Sequence, residues 1–317
     1  MGRATRAAFG DALLRLGESH DKIVVLDADL SSSTQTRKFG DAYPARFFQL
    51  GIAEGNMVGV AAGMALSGLA PFISSFACFL TGRFEQIRMS VGYNNANVCL
   101  VGTHSGVGIG PDGYSQMGLE DIALMRSLPN MVVVQPADGV EAERATEFLG
   151  DYKGPAYLRL TRQSVPDLFD EAYTFEFGQG VELSKGRDLT IVASGGVVAN
   201  AVEAAAALSS DGIDAGVVNI HTIKPIDAAL LSRVASETGR ILTVEDHGVV
   251  GGLGDAVLEA LAEQPDVVIR KHGVCTYGES GSAGDLYRKH RLDAPGIVSA
   301  AKEFAGANSQ SPAKAIA

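Results

Sequence analysis

Cations are scarce in this sequence. Its 26 Lys and Arg stand against 37 Asp and Glu, for a net charge of −11 and a pI near 5.0. A surface of that sign has no basic face with which to neutralise phosphates, which excludes nucleic acid as a partner. Long apolar runs are missing too, so nothing reads as a membrane span. The opening MGRATRAAFGDALLRLGE is an amphipathic helix pattern without the apolar core of a secretion signal. Cysteine is rare: Cys78, Cys99 and Cys275 lie far apart, without metal-ligand spacing, and apolar neighbours flank the first two. All three read as buried thiols of a reducing compartment, which places the chain in the cytoplasm. Charged residues make up 20%, too few for long disordered tracts away from the ends, and no internal repeat is present.

The 46% apolar fraction is ample for packed cores, and 317 residues suit two domains of ordinary size. Short β-rich runs alternate with helical patterns, which predicts parallel sheets with crossover helices. Strands are expected at Ile23–Leu26, Phe47–Leu50, Pro71–Ser75, Val98–Gly102, Met131–Gln135 and Ala156–Leu160, with helices near 54–67, 82–92, 119–128 and 138–149. The last begins at Asp138, with Glu141 three residues later as a capping box. From about Val165 to Arg187 the periodicity lapses into PDLFDEAYTFEFGQG, a linker pattern. A second alternation follows, with strands at Leu189–Ala193, Ala215–Asn219, Arg240–Val244 and Val267–His272. Its helices are expected at 197–208, 228–237 and 253–263. The expectation is an α/β protein of two domains, 1–165 and 188–305, joined by 166–187, with 306–317 a disordered tail. Each domain is a mostly parallel sheet flanked by helices.

The chemistry-bearing residues fall at or just past the predicted strand ends, where an α/β sheet builds its site. Glu54 lies in GIAEGNM, at the start of a small-residue helix after Phe47, Phe48 and Leu50. Phe76 and Phe79 follow in SSFACFLTGRFEQIR. A buried carboxyl beside an aromatic wall suits the aminopyrimidine ring of thiamine diphosphate: the wall stacks on the ring and the carboxyl hydrogen-bonds a ring nitrogen. An exposed glutamate favoured by the helix dipole, and two ordinary core phenylalanines, are the plainer alternatives. In THSGVGIGPDGYSQM, Pro111, Asp112 and Gly113 interrupt any dinucleotide-binding pattern, so a polar active-site loop with His104, Asp112, Ser115 and Gln116 is the better account, with a structural glycine-rich turn as the alternative. The order Asp29, Glu54, Phe76/Phe79, His104, Asp112, Arg162 favours a site over the plainer readings.

Leu26 to Arg162 resembles the pyrimidine-binding portion of transketolase, and the remainder up to about Phe304 resembles its C-terminal domain. The resemblance rests on DADLSSSTQTR, GIAEGNM, SFACFLTGRFEQIR, GTHSGVGIGPDGYSQMGLEDIALMRSLPNM and YLRLTRQ. It implies that Glu54 is catalytic, bonding the pyrimidine nitrogen of thiamine diphosphate, and that Phe79 stacks on the ring with Phe76 close by. It implies that Asp29 shapes the cofactor interface, that Ser33, His104 and Arg162 bind a sugar phosphate, and that Asp112 reads a substrate hydroxyl. Gln116 stands where many relatives have His. Pro111, Tyr114 and Gly82 also depart from the usual residues. No Gly-Asp-Gly occurs in the sequence. The Mg²⁺ and diphosphate ligands are therefore expected on a separate N-terminal transketolase subunit, in a naturally split α2β2 enzyme, with no metal ligands on this chain. The resemblance implies transfer of a two-carbon ketol unit from a ketose phosphate to an aldose phosphate, in pentose phosphate metabolism. A β subunit of a 2-oxo acid dehydrogenase, or a non-catalytic partner subunit, are the alternatives. NIHTIKPID, VEDHGVVGGLG and YGESG match fold signatures, so His221 and His247 are assigned structural roles.

Overall fold

A computed structural model describes residues 2–306. The expected disordered tail lies outside the described residues, apart from Gly306, which closes the helix Ala294–Gly306.

The first half of the chain supplies strands β1 (Ile23–Asp27), β2 (Phe47–Gln49), β3 (Ala70–Phe76), β4 (Cys99–Thr103), β5 (Val132–Val134) and β6 (Ala156–Arg159). All of them pair in parallel. Their near-continuous Val, Ile and Leu follow from burial on both faces. Val25, Phe72, Val101 and Leu158 pack on one face with Phe9 and Leu13 of the helix Thr5–Ser19. Leu26, Ile73, Leu100 and Tyr157 pack on the other. The period of two in a strand makes this division.

The second half supplies β7 (Val181–Ser184), β8 (Leu189–Ser194), β9 (Ala215–Asn219), β10 (Thr222–Lys224), β11 (Arg240–Gly248) and β12 (Val268–Val274). Five of these form a sheet in the order β12-β11-β8-β9-β7. Two details depart from the sequence reading. β7 lies inside the expected linker and pairs antiparallel with β9. β10 leaves its own domain and closes the first sheet, antiparallel to β5, giving the order β10-β5-β6-β4-β3-β1-β2. One apolar cluster also runs through both domains, joining Leu26 and Leu100 to Val192, Val218 and Ile241. The two units are stitched by a strand and a shared core.

Local caps hold where they matter. Asp138 Oδ1 accepts from the Glu141 amide at 2.8 Å and starts the helix Gly139–Asp151. Glu141 Oε2 reaches back to the Ala137 amide at 2.7 Å, one residue earlier than a reciprocal capping box requires. The helix expected over 82–92 is broken, with Phe84–Gln86 followed by the wider turn Ile87–Tyr93. The cysteine expectation needs correction. Only Cys99 is buried, Cys78 is half-buried and Cys275 is exposed, because Cys275 lies in the loop beyond β12.

Candidate active site

Strands β1, β2, β3, β4 and β6 present their carboxyl ends to one edge, and the chain places a candidate residue after each. Two of these positions have a backbone twisted into the left-handed region, Asp29 with φ 64° and His104 with φ 57°. A non-glycine residue sits there at a cost, and such positions cluster at functional sites.

Glu54 opens the helix Glu54–Leu66 and is only 5% exposed. The exposed-glutamate alternative therefore fails. Among the described residues none donates a hydrogen bond to its carboxylate. The residue is buried but its oxygens are not enclosed, which leaves the carboxyl free to meet a ligand. Phe76 is buried and Phe79 half-buried; their rings stack with centroids 5.3 Å apart and planes 11° apart. Phe76 also stacks on His104, at 3.7 Å and 23°. The aromatic wall and the imidazole are one stack.

His104 is fixed from both ends. Thr103 Oγ1 donates to Ser75 O at 3.3 Å, so it accepts from His104 Nδ1 at 2.9 Å. That network assigns the proton to Nδ1 and leaves the Nε2 lone pair facing Arg6 Nη1, 3.5 Å away. Burial, then the charges of Arg6 and Arg162, push the imidazole down to about 3, so it is neutral. Arg6 is the residue that sequence reasoning missed: the pattern around it reads only as an amphipathic helix. Its guanidinium donates to Ser33 O and is pushed down by burial and by Arg162. Arg162 donates to Ile109 O at 2.6 Å.

Arg6 and Arg162 line a cavity of about 640 Å³ with Ile109, Gln163 and, from the second domain, Gly281 and Ser282. Among the described residues neither cation meets a carboxylate, so this wall is positively charged in a chain of net charge −11. The YGESG run, read as a fold signature, thus contributes Gly281 to the wall. Asp112 is exposed and Gln116 half-buried, and neither lines this cavity. Asp29 is exposed, its amide held by Gln49 Oε1 at 2.6 Å. His221 and His247 are fully buried and pushed down to about 4, chiefly by burial.

Fold and site define a class: a two-domain α/β protein whose first, mostly parallel sheet carries a candidate site at its carboxyl edge, with part of the wall from the second domain. The family profile of the transketolase pyrimidine binding domain matches residues 1–167, and that of the transketolase C-terminal domain matches 178–297. A Methanocaldococcus jannaschii protein described as a C-terminal section of transketolase is 42% identical, over 93% of this chain and 94% of its own length. The 6-deoxy-6-sulfo-D-fructose transketolase subunit of a Clostridium species is 39% identical, over 94% and 93%. A solved split-gene transketolase, described as an inactive beta4 tetramer, superposes with a TM-score of 0.88 at 44% identity, covering 96% of this chain and 99% of that one. The chain belongs to the transketolase family. It spans about half the length of the animal transketolases that it also matches, 48% for the mouse enzyme.

Proposed function

We propose that this chain is the pyrimidine-side subunit of a two-subunit, thiamine-diphosphate-dependent transketolase, and that its substrates are sugar phosphates. One observation carries the reading: a buried, unpartnered Glu54 and a pair of cations, Arg6 and Arg162, belong to the carboxyl edge of one parallel sheet. The transketolase profiles and relatives speak for this over the 2-oxo acid dehydrogenase β subunit. The retained Glu54, Phe79 and Arg162 speak against a non-catalytic partner.

Thiamine diphosphate, when bound, supplies the carbanion chemistry of ketol transfer. Glu54 fits its pyrimidine nitrogen as the missing hydrogen-bond partner and holds the proton that passes between them. Phe79, backed by Phe76 and His104, offers the ring a stacking face. Asp29, at its strained turn after β1, shapes the cofactor's interface. Arg6 and Arg162 hold the substrate's anionic end, while Ser33 and neutral His104 hold Arg6 in place. Asp112 and Gln116, outside the cavity, meet substrate hydroxyls only from the loop's outer side. Mg²⁺ and the diphosphate belong to an N-terminal partner subunit, in an α2β2 assembly; the split-gene relative, inactive as a beta4 tetramer, supports that division. A pentose phosphate role and a cytoplasmic location accompany this reading. Among the described residues no helix is long and apolar enough to cross a membrane.

The sulfosugar relative raises a second substrate class, since a sulfonate would meet the same two arginines. Two fixed cations beside a neutral histidine balance a phosphate dianion better than a sulfonate monoanion. The experiment is reconstitution. The chain alone should be folded, inactive and a poor binder of thiamine diphosphate by calorimetry, and should gain ketol transfer with a Gly-Asp-Gly-containing partner. Tight Mg²⁺-dependent cofactor binding by this chain alone would remove the proposal.

A further inference from the structure

Arg162 is held by a circuit that runs through the second domain. Arg162 Nη1 donates to Ile109 O at 2.6 Å, so the turn Val107–Ile109 sets the guanidinium's position. That turn is itself held by Asp246, a buried residue of β11. Asp246 Oδ1 accepts from the Val107 amide at 2.8 Å and Oδ2 from the Gly108 amide at 3.4 Å. Oδ2 also accepts from Tyr287 Oη at 2.9 Å, and Tyr287 Oη accepts from Gln163 Nε2 at 2.7 Å. Gln163 is Arg162's neighbour in the chain. One carboxylate therefore reaches the cation from both sides, through the turn's amides and through the next side chain.

The turn is built to let this happen. Gly106 has φ +77°, and a Cβ there would collide with the Asp246 carboxylate; a Cβ on Gly108 would collide with the Gln163 amide. The two domains also meet away from this carboxylate, through a shared apolar core and a backbone contact. Arg159, held within the first domain by Gly118 O at 2.8 Å and Asp121 Oδ2 at 2.7 Å, donates across to Asp246 O at 3.0 Å.

We infer that Asp246, with Tyr287 and Gln163, is a positioning device for Arg162, so that the second domain sets affinity for the substrate's anionic end. This rests on the substrate reading above. The group to be held is a phosphate or other dianion on the substrate's far end, and Asp246 never touches it.

The test uses the chain reconstituted with its diphosphate-binding partner, with a phosphorylated and an unphosphorylated aldehyde as acceptors. Asp246→Asn should raise KM for the phosphorylated acceptor about tenfold and leave kcat within about twofold, while the unphosphorylated acceptor is unaffected. Tyr287→Phe keeps the ring and loses only the hydroxyl, and should give a smaller rise, about threefold. Combined with Arg162→Ala, neither change should add a further loss, because all act on one contact. Equal losses for both acceptors, or full additivity with Arg162→Ala, overturn the inference. Should Asp246→Asn fail to fold, Tyr287→Phe decides alone. Hydrogen exchange on the chain by itself separates the two readings. Faster exchange at the Val107 and Gly108 amides in Asp246→Asn, at unchanged thermal midpoint, supports the device even where the reconstituted wild type shows no ketol transfer. Unchanged exchange there overturns it.

Discussion

Both sheets end their central strands in ionisable side chains, and the two edges use them in opposite ways. Beyond β4 and β6 of the first sheet, Arg162 meets Arg6 at a cavity, with His104 beside Arg6, and among the described residues neither guanidinium meets a carboxylate. Inside β11 of the second sheet, Glu245, Asp246 and His247 are fully enclosed. Glu245 accepts from the Leu253 and Gly254 amides at 2.7 and 2.9 Å, and Asp246 from the Val107 and Gly108 amides. The rule that α/β sheets place their sites at the carboxyl edge holds for the first sheet. The second sheet's edge has turned its polar groups inward, to satisfy backbone amides. Charge left unmatched at a cavity marks a site, and charge matched in the interior marks a support.

The sharpest way to break that contrast is to neutralise the unpartnered acid of the first edge. Glu54→Gln keeps shape and burial but cannot give up a proton. In the reconstituted enzyme it should lower kcat by about 10²–10⁴-fold, the usual worth of a positioned acid or base, with thiamine diphosphate binding little changed. A loss under tenfold would make Glu54 a helix-end residue and nothing more.

Next in size is the anion wall. Arg162→Ala removes a charge-assisted contact worth about 1.5–3 kcal/mol, or about ten- to a hundredfold in KM for a phosphorylated acceptor. An unphosphorylated aldehyde has nothing there to lose. Comparing the two acceptors in steady-state kinetics decides the matter, and equal losses would return Arg162 to a structural role.

The second edge should show itself in stability. Burial pushes Glu245 up to about 7 despite the Gly254 and Leu253 amides, and burial does the same to Glu141 despite Tyr173 and Ala137. A carboxyl whose folded value lies above its ordinary 4.5 contributes stability present below that value and lost as pH rises through about 7. His104, His221 and His247 are pushed below their ordinary 6.5, so their contribution is complete above it and opposes the acids only at lower pH. The uncompensated window runs from 6.5 to about 7. The thermal midpoint should fall across it, and Glu245→Gln should flatten part of the slope. A midpoint that rises there in the wild type would mean that the second edge is not enclosed in solution.

Much of the first edge was legible in the sequence because parallel strands buried on both faces announce themselves as apolar runs. Each run from Ile23–Leu26 to Ala156–Leu160 reappears as a strand, and Glu54, His104 and Arg162 fall after the strands expected to carry them. Arg6 was not legible, since it lies on a helix whose amphipathic pattern explains the residue without any site. Its role comes from long-range packing of Thr5–Ser19 beside Ser33 and His104. β10 is three residues long and joins a sheet begun almost two hundred residues earlier, information that no local pattern contains. Asp246 was hidden in the same way: VEDHG reads as a strand's end, and only the approach of the Val107–Ile109 turn gives its carboxylate something to hold.

The smallest expected effect tests the first edge at its histidine. A histidine beside an anion site invites the reading that it binds as a cation, with affinity failing as it deprotonates. The structure argues otherwise. His104 is 2% exposed, its Nδ1 proton is committed to Thr103, and burial, helped by two guanidiniums, pushes the imidazole down to about 3 and keeps it neutral. Its charge therefore does not change between pH 6 and 8, and KM for a sugar phosphate should vary less than about twofold on its account after correction for the phosphate's own ionisation. Nitrogen-15 spectra of the imidazole give the direct measurement. They should show the neutral Nδ1–H tautomer down to about pH 5. A midpoint above 6 for His104 would mean that the first edge binds its anion with three charges, and that Arg6 is oriented by something other than the Nε2 lone pair.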